Sequence, residues 1–345
     1  VGKVLAAVSG GVDSAVTAAR LIDAGHDVSA VTLRMVPEGQ LSSADESMAS
    51  ARAVAEALGI EHVVVDAVTV FDECVLDYLA DAYAEGLTPN PCVRCNERVK
   101  FEVLLAEATR RGIPRVATGH YARVVWVDDV PWVARGFDVG KDQSYFLYRL
   151  GVDALARMVF PLGESTKADV RAEAEMRGLP AARRTESQDV CFTDQGGLIG
   201  IVTARHPDAE SPGPIVDDAG RVLGTHRGLA HYTVGQRKGL GIGGPVTWYV
   251  SALDPATNTV HVSPAQDMTT VRVQAVNVVW RGEAGPIRCE AQVRYRAAAR
   301  PVTATFDGSN LNVTFDSPVS APAPGQSVVC YVQDRVIGGG EIVPE

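Results

Sequence analysis

From its amino end, the chain alternates short apolar runs with longer stretches of helical periodicity. "KVLAAVS" (3–9) is a continuous apolar run ending in small residues, the pattern of a strand buried on both faces. "DSAVTAARLIDAG" (13–25) repeats its apolar positions at helical spacing and stops at glycine, which predicts a helix. The same reading predicts strands over 26–35, 61–67 and 114–120. It predicts helices over 44–60, near 70–84 and near 96–111, and a loop at the polar stretch 36–47. Strands alternating with helices imply βαβ units and a parallel sheet, which binds ligands at the carboxyl ends of its strands. "AVSGGVDS", Leu33 and "ATGH" fall at such ends.

Beyond about residue 120 the pattern changes. "ARVVWVDDVPWVARG" (122–136) predicts a hairpin, "SYFLYRL" (144–150) a short apolar segment and "TKADVRAEAEMRGLP" (166–180) a helix. From about 200 onward helical signals nearly vanish, and "RGLAHYTVGQRKGLGIGG" (227–244) is glycine-rich and basic. Short β-rich runs between turn signals fill 268–345, the pattern of a small barrel or sandwich, with 317–325 a proline-rich turn. The expected fold is α/β. A parallel-sheet domain over 1–200 precedes a small, mainly β central domain over 201–267 and a carboxyl-terminal β-barrel over 268–345.

A length of 345 residues suits two or three domains. With 46% hydrophobic and 21% charged residues, the composition is that of a soluble globular enzyme. The formal charge of −10 argues against a general nucleic-acid coat protein, yet a local basic patch is enough to hold RNA. The cysteines at 74, 92, 95, 191, 289 and 330 are sparse and form no disulfide framework, which points to the reduced thiols of the cytoplasm. No apolar stretch is long enough to cross a membrane, and the amino-terminal run leads straight into "SGGVDS", so it reads as a buried strand rather than a signal peptide.

"SGGVDS" (9–14) lies between a predicted strand and a predicted helix. Its glycines let the backbone approach an anion, while the Ser9 and Ser14 hydroxyls and the first helical amides supply donors. This strand–helix loop has neither the GxxxxGK[ST] nor the GxGxxG pattern, which argues against a P-loop NTPase and a dinucleotide fold. Asp13 either faces a metal or caps the helix.

This hexapeptide resembles the PP-loop of the ATP pyrophosphatases, which form adenylated intermediates and release pyrophosphate. "GLTPNPCVRCNERVKF" (86–101), "ATGHYAR" (117–123), "GKDQSYFLYRL" (140–150), "ESQDVCF" (186–192) and "YTVGQRKGLGI" (232–242) follow in this order. Together they resemble the tRNA-specific 2-thiouridylase family over essentially the whole chain. The resemblance implies ATP-dependent replacement of the C2 oxygen of the wobble uridine (position 34) by sulfur. The C2 oxygen is adenylated with loss of pyrophosphate, a cysteine persulfide supplies sulfur, and AMP leaves. It implies Cys95 as nucleophile, Cys191 as persulfide carrier, and ATP with Mg2+ at Ala7, Val8, Ser9, Gly10, Gly11, Val12, Asp13, Ser14, Leu33 and Gly119. It implies target-base contacts at Asn90, Pro91 and Cys92, and tRNA contacts at His120, Lys141, Asp142, Gln143, Arg294, Tyr295 and Gln326. The implied partners are tRNAs for Lys, Glu and Gln and a cysteine desulfurase or sulfur-relay protein. Several family members carry Asp where this chain has Cys92. If Cys95 opens the helix that follows it, that helix's amino end lowers the thiol pKa.

Cys92 and Cys95 admit further readings. Structural zinc needs four ligands, and Cys92, Cys95 and Cys191 supply three, with no second CxxC. A thioredoxin-like pair does not belong behind an ATP loop. Two readings survive: Cys95 and Cys191 carry out persulfide chemistry and pass through a disulfide, or Cys92, Cys95 and Cys191 hold a 4Fe–4S cluster whose open iron delivers sulfide. The persulfide route is preferred. Cys74, Cys289 and Cys330 lie in apolar runs and read as packing residues. The basic clusters at 110–115, 181–188, 235–239 and 294–300 suit a clamp on folded RNA whose wobble base is drawn out of its stack. Rival functions are a small-molecule PP-loop synthetase and a non-enzymatic metal-binding RNA module.

Overall fold

The computed structural model describes residues 1–184, 192, 197–265, 268–320 and 322–344. The chain forms two units, one of Val1–Cys74, Cys92–Asp194 and Asp334–Val336, the other of Val75–Pro91, Gln195–Gln333 and Ile337–Glu345. The division falls inside "NPCVRCN".

In the first unit, β1 (Lys3–Ala7), β2 (Asp27–Arg34) and β3 (His62–Asp66) are joined by α1 (Val12–Asp23) and α2 (Ser42–Leu58). With β4 (Arg115–Ala117) and β7 (Met158–Val159) they make a five-stranded parallel sheet in the order β3-β2-β1-β4-β7. The expected parallel sheet is therefore present, with β1 at its centre. Val4 and Ala6 of the central strand, and Val8 just past it, pack with Ala15 and Val16 of α1, Val54 of α2 and Val170 of the later helix. Each fully buried valine here contributes about 1.5–3 kcal/mol relative to exposure. The hairpin expected over 122–136 forms as β5 (Ala122–Val127) and β6 (Val130–Arg135), turning at Asp128 and Asp129, both with positive φ. The helix expected over 166–180 is α8 (Lys167–Met176), opened by a capping box between Thr166 and Asp169.

Several elements differ from the periodic reading. The helix expected near 70–84 is broken into α3 (Val68–Phe71), a π-helical stretch Asp72–Asp77 and α4 (Tyr78–Ala84). The helical path expected near 96–111 opens earlier, with α5 (Pro91–Arg94), because proline at the first position is already set for a helix. It then passes through a π-helical stretch Cys95–Phe101 into α6 (Glu102–Arg110). Single π turns in helices cluster at functional sites, and 3.6-residue periodicity does not reveal them. "SYFLYRL" begins as a 3-10 turn (Ser144–Leu147) ahead of α7 (Val152–Arg157).

Among the described residues, the second unit contains one α-helix past residue 195, α9 (Gly197–Arg205). Four strands, β8 (Gly213–Asp217), β9 (Val222–His226), β10 (Trp248–Asp254) and β11 (Thr259–Pro264), form a sheet in the order β10-β11-β8-β9. It covers a core of Ile215, Leu229, Tyr232, Val250, Val260 and Val262. The remaining strands are β12 (Thr269–Trp280), β13 (Gly285–Gln292), β14 (Arg300–Phe306), β15 (Leu311–Ser320), β16 (Ser327–Val332) and β17 (Arg335–Ile342). They follow the order β12-β15-β14-β13-β16-β17, and a β12–β17 pairing closes them into a barrel. Closure removes the exposed edges that an open sheet would present. Cys289 and Cys330 lie on the adjacent strands β13 and β16, and the hydrogen bond between the two thiols, with burial, pushes the Cys330 thiol well up.

Candidate active site

The loop after β1 is built from its own small residues. Ser9 N donates to Ser14 Oγ at 3.1 Å, Ser14 Oγ donates to Gly11 O at 3.0 Å, and the two serine hydroxyls stand 3.3 Å apart. Both hydroxyls thus shape the loop. Gly10 has φ +78°, and a Cβ there would lie 2.3 Å from the Ser47 carbonyl oxygen, so only glycine fits. Ser50 Oγ donates to Gly10 O at 2.8 Å, and Arg184 reaches the same carbonyl and the Ser47 hydroxyl. Thr32 Oγ1 donates to Val8 O at 2.6 Å and so accepts from His62 Nε2 at 2.8 Å, which fixes the His62 tautomer. Leu33, next along β2, is half-buried.

Gly11 begins α1 without a side-chain cap, leaving the first amides of the helix facing the loop, and Asp13 lies in the first turn. The Asp13 carboxylate accepts from Lys167 Nζ at 2.8 Å on both oxygens and from the Tyr121 hydroxyl at 2.8 Å. Gly119 passes so close that a Cβ would meet Asp13 C at 3.0 Å and Ser14 N at 3.1 Å. The fold thus brings the loop and Gly119, more than a hundred residues apart in sequence, together. The sequence alone points to neither Lys167 nor Tyr121 at this loop, and it groups Arg184 with the basic cluster at 181–188 as an RNA contact. The only local signal was a lysine at the first position of a capped helix, where the macrodipole disfavours positive charge.

Cys95 is buried and begins the π-helical stretch, while Cys92 is half-buried in the preceding turn. The helical path opens at Pro91, so Cys95 lies one turn inside it and not at its amino end. Glu97, two residues on, accepts from Arg149 Nε at 2.8 Å, and Phe101 ends the stretch against the His120 ring at 5.5 Å. His120 also meets Phe160 edge-on at 6.0 Å, and its Nδ1 pairs with Thr118 Oγ1 at 2.7 Å. Burial, with the Lys100 charge nearby, holds its pKa down to about 3, so the ring is neutral near pH 7. Cys191, expected to carry the persulfide and to be the third cluster ligand, lies outside the described residues. Among the described residues no group of three His, Cys, Asp or Glu side chains is placed to hold a metal ion.

Asp142 accepts from the Gly136 and Ser144 amides and the Ser144 hydroxyl, and burial raises its pKa. Gln143 Oε1 accepts from Tyr121 N at 2.9 Å, and Lys141 N donates to Asp138 O. Asp142 therefore shapes its own turn, whereas Gln143 ties that turn to the backbone at Tyr121. In the second unit, Gln326 Nε2 donates to Thr88 O at 2.6 Å and to Pro89 O at 3.5 Å, and Thr88 N donates to Pro324 O. That clamp holds the chain immediately before Asn90. Arg294 is exposed on a barrel turn, and Arg296 (φ +67°) lies over the Tyr295 ring at 5.6 Å.

A parallel α/β sheet with a glycine loop at the carboxyl end of its central strand, and two β-rich regions later in the chain, mark a multidomain α/β protein. The tRNA methyl transferase HUP domain family matches residues 2–195, its PRC-barrel domain family 204–264, and the aminomethyltransferase β-barrel domain family 268–342. The tRNA-specific 2-thiouridylase MnmA of Chloroflexus aurantiacus is 44% identical over 99% of this chain and 98% of its own length. That of Moorella thermoacetica is 43% identical over 98% of each. The chain belongs to the tRNA-specific 2-thiouridylase family, whose members are tRNA-modifying transferases. A solved 4-thiouridine synthetase–RNA complex with bound ATP has a TM-score of 0.37 and 16% identity over 55% of this chain and 45% of that one, too distant to bear on the site.

Proposed function

We propose that this protein thiolates carbon 2 of the wobble uridine of tRNA at the expense of ATP. The observation that carries the reading is full-length similarity to 2-thiouridylases joined to the glycine loop that leads into α1. The amides at the start of α1 and the side-chain-free surfaces of Gly10 and Gly119 suit the pyrophosphate portion of ATP. Asp13 is the carboxylate in that loop suited to Mg2+, which supplies charge neutralisation as pyrophosphate departs. Leu33, at the end of β2, offers an apolar face to adenine.

In the reaction, the uridine C2 oxygen attacks the α-phosphorus, and pyrophosphate leaves. The terminal sulfur of a Cys191 persulfide then attacks C2. The Cys95 thiolate takes the other sulfur, which forms a Cys95–Cys191 disulfide, and AMP departs with the former uridine oxygen. An external thiol restores both cysteines, and a desulfurase or relay protein reloads Cys191. Burial keeps Cys95 from indiscriminate oxidation, and His120, neutral at physiological pH, adds no charge beside the π-helical stretch. The cluster route, with Cys92, Cys95 and Cys191 as ligands, is the alternative sulfur supply. Asn90, Pro91 and Cys92 form the base pocket, while His120, Lys141, Asp142, Gln143, Arg294, Tyr295 and Gln326 lie along the tRNA path. The expected substrates are tRNAs for Lys, Glu and Gln, and the expected location is the cytoplasm.

The test is incubation of purified protein, unmodified tRNA, ATP, Mg2+ and a sulfur source, with the tRNA resolved on a mercury-containing gel. An ATP-dependent shift, equal for aerobic and cluster-reconstituted protein, supports the persulfide route. A shift only after reconstitution moves the chemistry to the cluster. Absence of any shift, with ATP consumed on a small molecule, contradicts the reading.

A further inference from the structure

Two thiols that the sulfur chemistry above leaves unused meet inside the barrel. Along β13 the exposed side chains of Arg288 and Glu290 alternate with Ile287, Cys289 and Ala291, so Cys289 belongs to the inward face. Ala291 is paired with Cys330 of β16. Paired residues of antiparallel strands share a face, which puts Cys289 diagonally across from Cys330. The two thiols hydrogen-bond. Cys330 is completely buried, whereas Cys289 is half-buried and keeps part of its surface in solvent. The strand pairing is uneven here. β13 pairs with β14 from Gly285 to Ala291, but among the described residues it meets β16 over Glu290 to Gln292 alone. Cys289 therefore lies just past the end of a short ladder, where no registered pair fixes the separation of the two strands.

A packing role explains a cysteine in an apolar run. It does not explain why two of them touch, or why their surroundings are so unequal. The hydrogen bond with Cys330, opposed by partial burial, lowers the Cys289 pKa, and the same bond with complete burial raises that of Cys330. One sulfur is thus an accessible nucleophile and the other a protected thiol in contact with it. That is the arrangement of an attacking and a resolving cysteine.

We propose that Cys289 and Cys330 form a reversible disulfide when the protein meets hydrogen peroxide, fastening β13 to β16 inside the barrel. Neither thiol takes part in the proposed sulfur transfer, so the inference stands apart from that reading. The Cys289 thiolate attacks one peroxide oxygen, the O–O bond breaks, and the departing hydroxide takes up the proton that the thiol released. Cys289 is then a sulfenic acid. The Cys330 sulfur attacks the Cys289 sulfur, the S–S bond forms, the S–O bond breaks, and the oxygen leaves as water with the Cys330 proton. Two thiols lose two electrons, and one peroxide becomes two waters. A reduced dithiol reverses the step by exchange.

The experiment treats the full chain with hydrogen peroxide, blocks the remaining thiols with N-ethylmaleimide as the chain is unfolded, and maps tryptic peptides by mass spectrometry, with and without prior dithiothreitol. Trypsin cuts between the two cysteines, after Arg294 and Arg296, so the disulfide joins two peptides. The joined pair is expected as the main product at these residues and is lost with dithiothreitol. C330A is expected to leave Cys289 as a sulfenic acid that dimedone traps. It is also expected to slow maleimide labelling of Cys289 in the folded chain at least about threefold, because the hydrogen bond that favours the thiolate is gone. C289A is expected to leave Cys330 unmodified. Hydrogen exchange over β13 and β16 is expected to slow on oxidation of the wild type and of neither variant. Recovery of Cys330 as its maleimide adduct after peroxide, or joined peptides that form only in urea, overturns the proposal. So does oxidation of Cys330 in C289A as fast as in the wild type, because peroxide would then reach it directly. If a variant does not fold, the wild-type peptide map and its hydrogen exchange decide.

Discussion

Single residues carry the tightest constraints. Gly10 combines φ +78° with a carbonyl oxygen 2.3 Å from where a Cβ would sit. Gly10→Ala is therefore expected to cost about 1–3 kcal/mol and to open the loop. Thermal melting and ATP titration check it, and wild-type values in both would show that the loop yields at no cost. Cys95→Ser keeps the packing but removes the thiol proposed as nucleophile, so thiolation is expected to fall at least about a thousandfold with ATP binding retained. His120 has a folded-state pKa near 3, below its unfolded value, because burial disfavours the charged ring. The sign follows: between the two values the unfolded chain binds the extra proton, so the neutral ring's contribution is complete above the unfolded pKa near 6.5 and drains as pH falls toward about 3. His120→Asn should flatten the fall of melting temperature with acidification over that window. An unchanged slope would place its source elsewhere.

Elements show what a linear sequence can and cannot announce. The βαβ alternation over 3–67 made the parallel sheet readable, since β1 and β3 carry unbroken apolar runs and β2 is rich in valine. The π-helical stretches Asp72–Asp77 and Cys95–Phe101 were not readable, because their wider turn leaves no regular period in so few residues. The helix start at Pro91 had a signal, proline at the first position, that the cysteine spacing drew attention away from. Within the candidate site, "SGGVDS" and "ATGH" were legible as strand-end motifs. Lys167 and Tyr121 were not, because an ion pair across 154 residues imposes no local pattern. The Gln326 clamp on Thr88 and Pro89 is of the same long-range kind. Gln326→Ala is expected to cost about 1 kcal/mol and to speed amide exchange over residues 85–91, measurable by hydrogen-exchange mass spectrometry. Unaltered exchange would mean that the turn at Pro324 holds this segment without the glutamine.

At the scale of the whole molecule, a chain with a formal charge of −10 must concentrate its positive charge to hold a polyanion. On the proposed reading that place includes the barrel turn where Arg294 and Arg296 are exposed and the guanidinium of Arg296 lies over the Tyr295 ring. Removing both should weaken tRNA binding and reduce the slope of log affinity against log salt by about 1–2, because each phosphate contact releases a counterion. An unchanged slope would move the RNA contacts elsewhere. The most direct test of the central claim is nucleoside mass spectrometry of tRNA after incubation with this protein, ATP, Mg2+ and a sulfur source, with AMP counted alongside. The account predicts sulfur replacing oxygen at the wobble uridine, one AMP for each sulfur, and no product without ATP. A methyl-group mass shift in that uridine, or ATP consumption with the tRNA unaltered, would contradict it.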